Sequence, residues 1–78
     1  MAITPAQIRA ARALLGWTLD ELSEKSGISR RTLTDLESGT HKPQRRTLDK
    51  LRACHAKHGI AFVSVDDQPG GVILIKPR

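Results

Sequence analysis

The sequence predicts a mainly α-helical fold, in which a bundle of four short helices is followed by a C-terminal β-hairpin. Two observations predict the bundle. Thr4 and Thr18 are good N-cap residues, Gln7 and Glu21 follow them at the spacing of a capping box, and Ser29 is a third N-cap. A glycine then follows each stretch of helical periodicity, where helices commonly end. A third observation predicts the hairpin, because β-branched residues surround a turn-forming segment beyond residue 59.

Each helix has its own start and stop signals. The first begins at Pro5, since proline suits the first helical position, and the second and third begin after Thr18 and Ser29. The fourth extends from about Gln44 to Lys57 and stops at Gly59. The glycines that end the first three helices are Gly16, Gly27 and Gly39. The inward side of the fourth helix is formed by Leu48, Leu51, Cys54 and His55.

The hairpin is predicted from two apolar strands, Ile60–Val65 and Val72–Lys76, on either side of the turn Asp66–Gly71. Both faces of each strand are apolar, whereas one helical bundle can cover only one of them. We therefore expect a helical domain at residues 1–58 and a dimerising hairpin at residues 59–78. The alternative is a hairpin packed against the fourth helix of its own chain. The expected dimerisation residues are Phe62, Val63, Ile73 and Ile75.

Length, cysteine content and charge limit the classes of function. A chain of 78 residues forms a small core with little stability to spare. The single cysteine, Cys54, excludes an internal disulfide, and nothing at the N-terminus resembles a secretion signal or a membrane span, which predicts a cytoplasmic protein. The net charge is +5, and the segment Arg30–Lys57 carries eight basic residues against three acidic ones. A polyanion such as nucleic acid is the expected partner.

The segment Thr18–Glu37 has the pattern of two helices joined by a tight turn, as a DNA-binding helix-turn-helix requires. With Leu33 and Leu36 inward, a step of about 100° per residue leaves a polar face outward. The residues expected to contact base edges are Arg30, Arg31, Thr34 and Asp35. Arginine can bond guanine O6 and N7 together, although either arginine could instead contact only phosphate. Asp35 would orient Arg31 through an ion pair or accept a bond from cytosine.

Phosphate contacts are expected on both sides of this polar face. Basic side chains approach it from the loop and the first turn of the fourth helix. Free backbone N–H groups at the start of the second helix form a second anion site. The residues expected to contact phosphate are Thr18, Leu19, Ser29, Lys42, Arg45 and Arg46.

A series of residues between Ile8 and Leu51 occurs in a recognisable order. It consists of Arg12, Leu15-Gly16-Trp17-Thr18, Glu21-Leu22, Lys25-Ser26-Gly27-Ile28-Ser29, Leu33, Leu36-Glu37-Ser38-Gly39, Pro43 and Thr47-Leu48-Asp49-Lys50-Leu51. This series resembles the Cro and phage-repressor-like helix-turn-helix regulators, the XRE family. The resemblance implies a bundle of four or five helices with its third helix in the DNA major groove. It also implies a partly buried ion pair between Arg12 and Glu37, and a DNA-contacting glutamine at the position that Leu19 occupies here.

No other chemistry is supported by the sequence. No serine, cysteine or lysine has a base beside it in a catalytic motif, so neither an enzyme nor a cofactor is expected. Cys54, His55 and His58 have spacings that could hold a metal, but no fourth ligand is evident, so no metal site is expected. Gly70 and Gly71 precede no helix, which excludes a phosphate-binding loop.

These patterns together predict a sequence-specific transcriptional regulator that binds double-stranded DNA as a homodimer and represses from a palindromic operator. The alternative is an antitoxin-type module that binds a partner protein through its C-terminal hairpin. Because such antitoxins also repress, a small partner that co-purifies would separate the two. The compact apolar sequence of Ile60–Lys76 disfavours the alternative, since toxin-binding segments are often polar and disordered until bound.

Overall fold

The computed structural model describes residues 3–40, 42–65 and 68–74, and within these ranges the fold is the predicted one. Four helices precede a two-stranded antiparallel sheet. The elements are α1 (Pro5–Leu15), α2 (Leu19–Ser26), α3 (Arg30–Ser38), α4 (Arg45–Lys57), β1 (Ile60–Val65) and β2 (Gln68–Leu74). In this part of the chain, no helix is long and apolar enough to cross a membrane.

The predicted helix caps are confirmed. The Gln7 N–H donates to Thr4 Oγ1 over 3.2 Å while Gln7 Oε1 accepts from the Thr4 N–H over 2.9 Å, which is a complete capping box. Thr18 and Glu21 form the same arrangement at the start of α2. Gly27 ends α2 with a φ of 74°, in the left-handed region where a side chain is strained. The turn between α2 and α3 is therefore fixed by local chemistry.

The core lies between the four helices and the first strand. The buried cluster is formed by Ile3, Ile8, Leu22, Ile28, Leu33, Leu36, Leu51 and Cys54. Trp17, Leu19, Leu48 and Phe62 pack against it in partial burial. His55 is also buried, and its Nδ1–H donates to the Leu51 carbonyl over 2.8 Å. Burial lowers the pKa of this imidazole, so the neutral ring behaves as a core side chain.

The second strand differs from the sequence prediction. It begins at Gln68, whereas Val72 was expected as its first residue, and Lys76 lies outside the described residues. Pairing passes from Val63↔Gly71 to Ser64↔Pro69, so Gly70 is an extra residue at a β-bulge. Proline and glycine in this segment indicated a turn, but both are tolerated at bulges and on edge strands.

The hairpin packs on its own chain through one face. β1 contacts α4, and β2 contacts α1. On the bundle side Ile60 is buried, and the ring of Phe62 lies 5.2 Å from the ring of His55. Gln7 Nε2 donates to the carbonyls of Val63 and Gly71, over 3.2 and 2.8 Å, and so ties α1 to both strands.

The opposite face of the hairpin carries two of the expected dimerisation residues, Val63 and Ile73. Ala61 pairs with Ile73, and Val63 pairs with Gly71, on the side away from Phe62. Ile73 is 53% exposed, while Val63 is half-buried. Phe62, expected at a subunit interface, instead packs against the core of its own chain. Ile75 lies outside the described residues.

Candidate nucleic-acid interface

Helix α3 presents the polar face that the sequence predicts. Leu33 and Leu36 are buried, and the side chains of Arg30, Arg31 and Thr34 are exposed on the other side. Ser29 caps the helix, since its Oγ accepts from the Thr32 N–H over 3.2 Å. This hydroxyl also donates to Thr32 Oγ1 over 2.8 Å, so its own hydrogen is already bonded within the cap.

The outward residues of α3 have different environments. Arg30 Nη1 lies 3.0 Å from Asp20 Oδ1 at the start of α2. The Thr34 hydroxyl donates to the Arg30 carbonyl over 3.0 Å. Asp35 is half-buried and lines a cleft of about 270 Å³ between α3 and the start of α4. The orientation of Arg31 by Asp35 stays a prediction.

The start of α2 is less open to an anion than was expected, because its capping box uses the N–H groups of Thr18 and Glu21. The Thr18 N–H donates to Glu21 Oε1 over 2.9 Å, and this bond, with that from the Thr18 hydroxyl, lowers the pKa of Glu21. Asp20 adds a second carboxylate to the same turn. Leu19 packs against the core, so its side chain faces away from a ligand. Thr18 is therefore a helix cap whose N–H is already bonded.

The start of α4 has the opposite character. Its N-cap residue, Gln44, makes no side-chain hydrogen bond to the helix, so the first backbone N–H groups of α4 have no cap from this residue. Lys42, Arg45 and Arg46 are all exposed around this helix end. The cleft beside Asp35 is lined by Lys42 and Gln44, which places the helix end next to α3. Open N–H groups together with arginines suit the binding of phosphate.

Comparisons with known proteins agree with this geometry. The helix-turn-helix family model matches residues 8–53, more than half of the chain. A protein of Archaeoglobus fulgidus named as an uncharacterized HTH-type transcriptional regulator is 35% identical over 66 residues, which cover 83% of this chain and 94% of the relative. This chain belongs to the XRE helix-turn-helix family. It is a DNA-binding transcriptional regulator, and regulators of this family are typically not enzymes.

An ion pair holds helix α3 of this XRE regulator in place. Arg12 Nε and Nη2 donate to the two carboxylate oxygens of Glu37 over 2.7 and 3.0 Å, as the resemblance implies. Arg12 Nη1 donates to the Trp17 carbonyl over 2.9 Å, and Arg9 donates to the Glu37 carbonyl. The hydrogen bond to Glu37 raises the pKa of Arg12. Because this pair joins the end of α3 to α1, its role is structural.

Two contacts were missed by the sequence analysis. Asp20 was not singled out, because it lies ten residues before Arg30 and meets it only through the tight turn between α2 and α3. Gln7 was assigned only to a capping box, yet its amide also bonds the hairpin. The spacing typical of the helix-turn-helix brings the starts of α2 and α3 together and could have indicated the first pair. No local signal indicates the second contact.

Proposed function

We propose that this regulator is a repressor that binds a palindromic operator as a homodimer. The observation that supports the proposal best is the adjacency of two features. Helix α3, which carries the exposed Arg30 and Arg31, shares a cleft with the basic start of α4. One surface thus combines side chains suited to base edges with a site suited to phosphate. Repression requires only that the bound protein exclude other proteins from the operator.

Base contact is assigned to the first half of α3. A major groove accepts one helix, and residues near its N-terminal end contact base edges. Arg30 and Arg31 are the first two residues of α3, and Thr34 follows one turn later. The arginines suit guanine, and the Thr34 methyl group suits thymine because its hydroxyl is bonded to the helix backbone. Asp35 lies at the rear of this surface, in the cleft toward α4.

Dimerisation is assigned to the outward face of the hairpin. One recognition helix covers only a few base pairs, so two copies on half-sites supply the missing affinity and specificity. The face formed by Ala61, Val63 and Ile73 is apolar, and a two-stranded hairpin also has unpaired edges that can pair with a second copy. Ile73 is the most exposed large apolar residue of the part of the chain that the structure describes.

Base contact is tested with Arg31→Ala on an operator selected by the wild-type protein from a random pool of duplexes. The expected loss is about 1–3 kcal/mol, concentrated at one base pair of each half-site, with an unchanged melting temperature because Arg31 is exposed. Affinities for the operator and for all its single-base variants measure the effect. A loss of the same size on every duplex would make Arg31 a phosphate contact.

The dimer is tested with Ile73→Lys, and Leu14→Lys is the matched control. Leu14 is 47% exposed on α1, so it reports the general effect of exchanging an exposed apolar residue for lysine. Light scattering should show a monomer for I73K and a dimer for L14K, and only I73K should lose operator affinity. An I73K protein that stays dimeric would contradict the assignment. A wild-type monomer that captures another small protein would favour the antitoxin alternative.

A further inference from the structure

The ion pair between Arg30 and Asp20 connects α3 to α2. Arg30 Nη1 and Asp20 Oδ1 are 3.0 Å apart, and their side chains are 62% and 75% exposed. Asp20 takes no part in the capping box of α2, which is formed by Thr18 and Glu21. Its carboxylate is therefore not required to cap the helix. An exposed pair of this kind adds little to stability, so its position beside the proposed DNA surface needs another explanation.

We infer that Asp20 is a positioning residue that raises sequence specificity by holding Arg30 away from phosphate. The inference rests on the proposed function, in which α3 contacts base edges. A guanidinium has five N–H donors, and the bond to Asp20 uses Nη1. Nε and Nη2 together form the second edge of the planar group, and this edge remains available to guanine O6 and N7.

The same carboxylate disfavours contacts that carry no sequence information. An unrestrained arginine at the end of a flexible side chain can bond any nearby phosphate, which adds affinity for every duplex equally. Asp20 competes with phosphate for Arg30, and its negative charge also repels the DNA backbone. Both effects weaken binding to DNA in general. On the operator, Arg30 keeps its bond to Asp20 and also bonds the guanine. Asp20 therefore weakens specific binding less than it weakens binding to other DNA.

Asp20→Asn tests this inference, with Glu24→Gln as the matched control. Glu24 is an exposed carboxylate on the same helix and belongs to neither of the ion pairs between described residues, so E24Q removes the same charge without releasing Arg30. Two duplexes of equal length serve as probes: the selected operator and a shuffled version of it. Fluorescence anisotropy at several salt concentrations gives the affinities and the slopes of log K against log salt.

D20N should bind the shuffled duplex about eightfold more tightly at 0.1 M salt, with a slope steeper by about 0.9, because one more phosphate is neutralised. Operator affinity should change by less than about twofold, so the specificity ratio should fall by several-fold. E24Q should change both affinities by less than about twofold. In an Arg30→Ala background, D20N should behave like E24Q, since the residue through which Asp20 acts is gone.

Other outcomes would overturn the inference in distinguishable ways. A D20N protein that binds both duplexes more tightly by the same factor, or that keeps its effect without Arg30, would show that Asp20 acts only as a charge. If Arg30→Ala lowers the specificity ratio and D20N does not, the proposed base contact stands and the positioning role fails. If Arg30→Ala leaves the ratio at the wild-type value, the base contact of Arg30 fails and the role of Asp20 fails with it.

Discussion

The starts of α2 and α4 are two helix N-termini on one molecule with opposite chemistry. At α2 a capping box bonds the Thr18 N–H, and two carboxylates, Asp20 and Glu21, occupy the first turn. At α4 the N-cap residue Gln44 makes no side-chain hydrogen bond to the helix, and Arg45 and Arg46 form its first two positions. Both ends carry the same helix dipole, but only the second combines it with basic side chains in the first turn. The side chains in the first turn thus decide whether the N-terminus of a helix attracts or repels an anion.

Removing both arginines from α4 should have the largest effect. The variant R45A/R46A should lose about 1.8 from the slope of log K against log salt, about 0.9 for each phosphate no longer neutralised. At 0.1 M salt this predicts an affinity lower by one to two decades on operator and shuffled duplexes alike. The comparison of α2 with α4 would fail if the slope stayed at the wild-type value.

Substituting the two N-cap residues should change the free energy of unfolding instead of DNA affinity. The change should differ between α2 and α4. Thr18→Ala removes the bond to the Glu21 N–H and should lower the free energy of unfolding by about 1 kcal/mol. Gln44→Ala is the matched change at α4 and should lower it much less, because Gln44 forms no capping bond. Chemical denaturation of both variants measures the difference. Equal losses would indicate that the two caps contribute alike.

The smallest expected effect is the pH dependence of the α2 cap. The pKa of Glu21 is lowered from its usual 4.5 by the hydrogen bonds from Thr18, so the cap stabilises the fold above that pH. This contribution is lost as the pH falls through the lowered pKa of the folded state. The stability of the wild type relative to Glu21→Gln should therefore decrease below about pH 4.5. Melting temperatures between about pH 3 and 7 test it, and a constant difference would contradict the assigned cause.

The helices were predictable because their determinants are local. Each capping box spans four residues, and the glycines that close α1, α2 and α3 adjoin their helices, so propensity and packing favour the same boundaries. The second strand was not predictable in the same way. Pro69, Gly70 and Gly71 are turn formers by themselves, and they form a strand only because β1 and Gln7 supply hydrogen-bonding partners from distant parts of the chain.

The residues of the candidate site were likewise predictable where their determinants are local. Helical geometry from Leu33 and Leu36 correctly placed Arg30, Arg31 and Thr34 on the outside. The contact of Arg30 with Asp20 joins residues ten positions apart, so it depends on the angle that the helix-turn-helix sets between α2 and α3. The expectation that the Thr18 N–H is free was wrong for a different reason. Glu21 had already been assigned to the capping box, and a bonded N–H cannot also bind a phosphate.

The side chain of Gln7 makes one position of the sequence serve two distant segments. Capping boxes generally accept glutamate or glutamine, but here Oε1 accepts from Thr4 while Nε2 donates to two strand carbonyls. Glutamate would turn a negative oxygen toward those carbonyls, so it cannot replace glutamine at this position. When the hairpin separates from the bundle, α1 loses one of its end restraints in the same event. Amide hydrogens at the start of α1 and in the hairpin should therefore exchange with solvent as one cooperative unit.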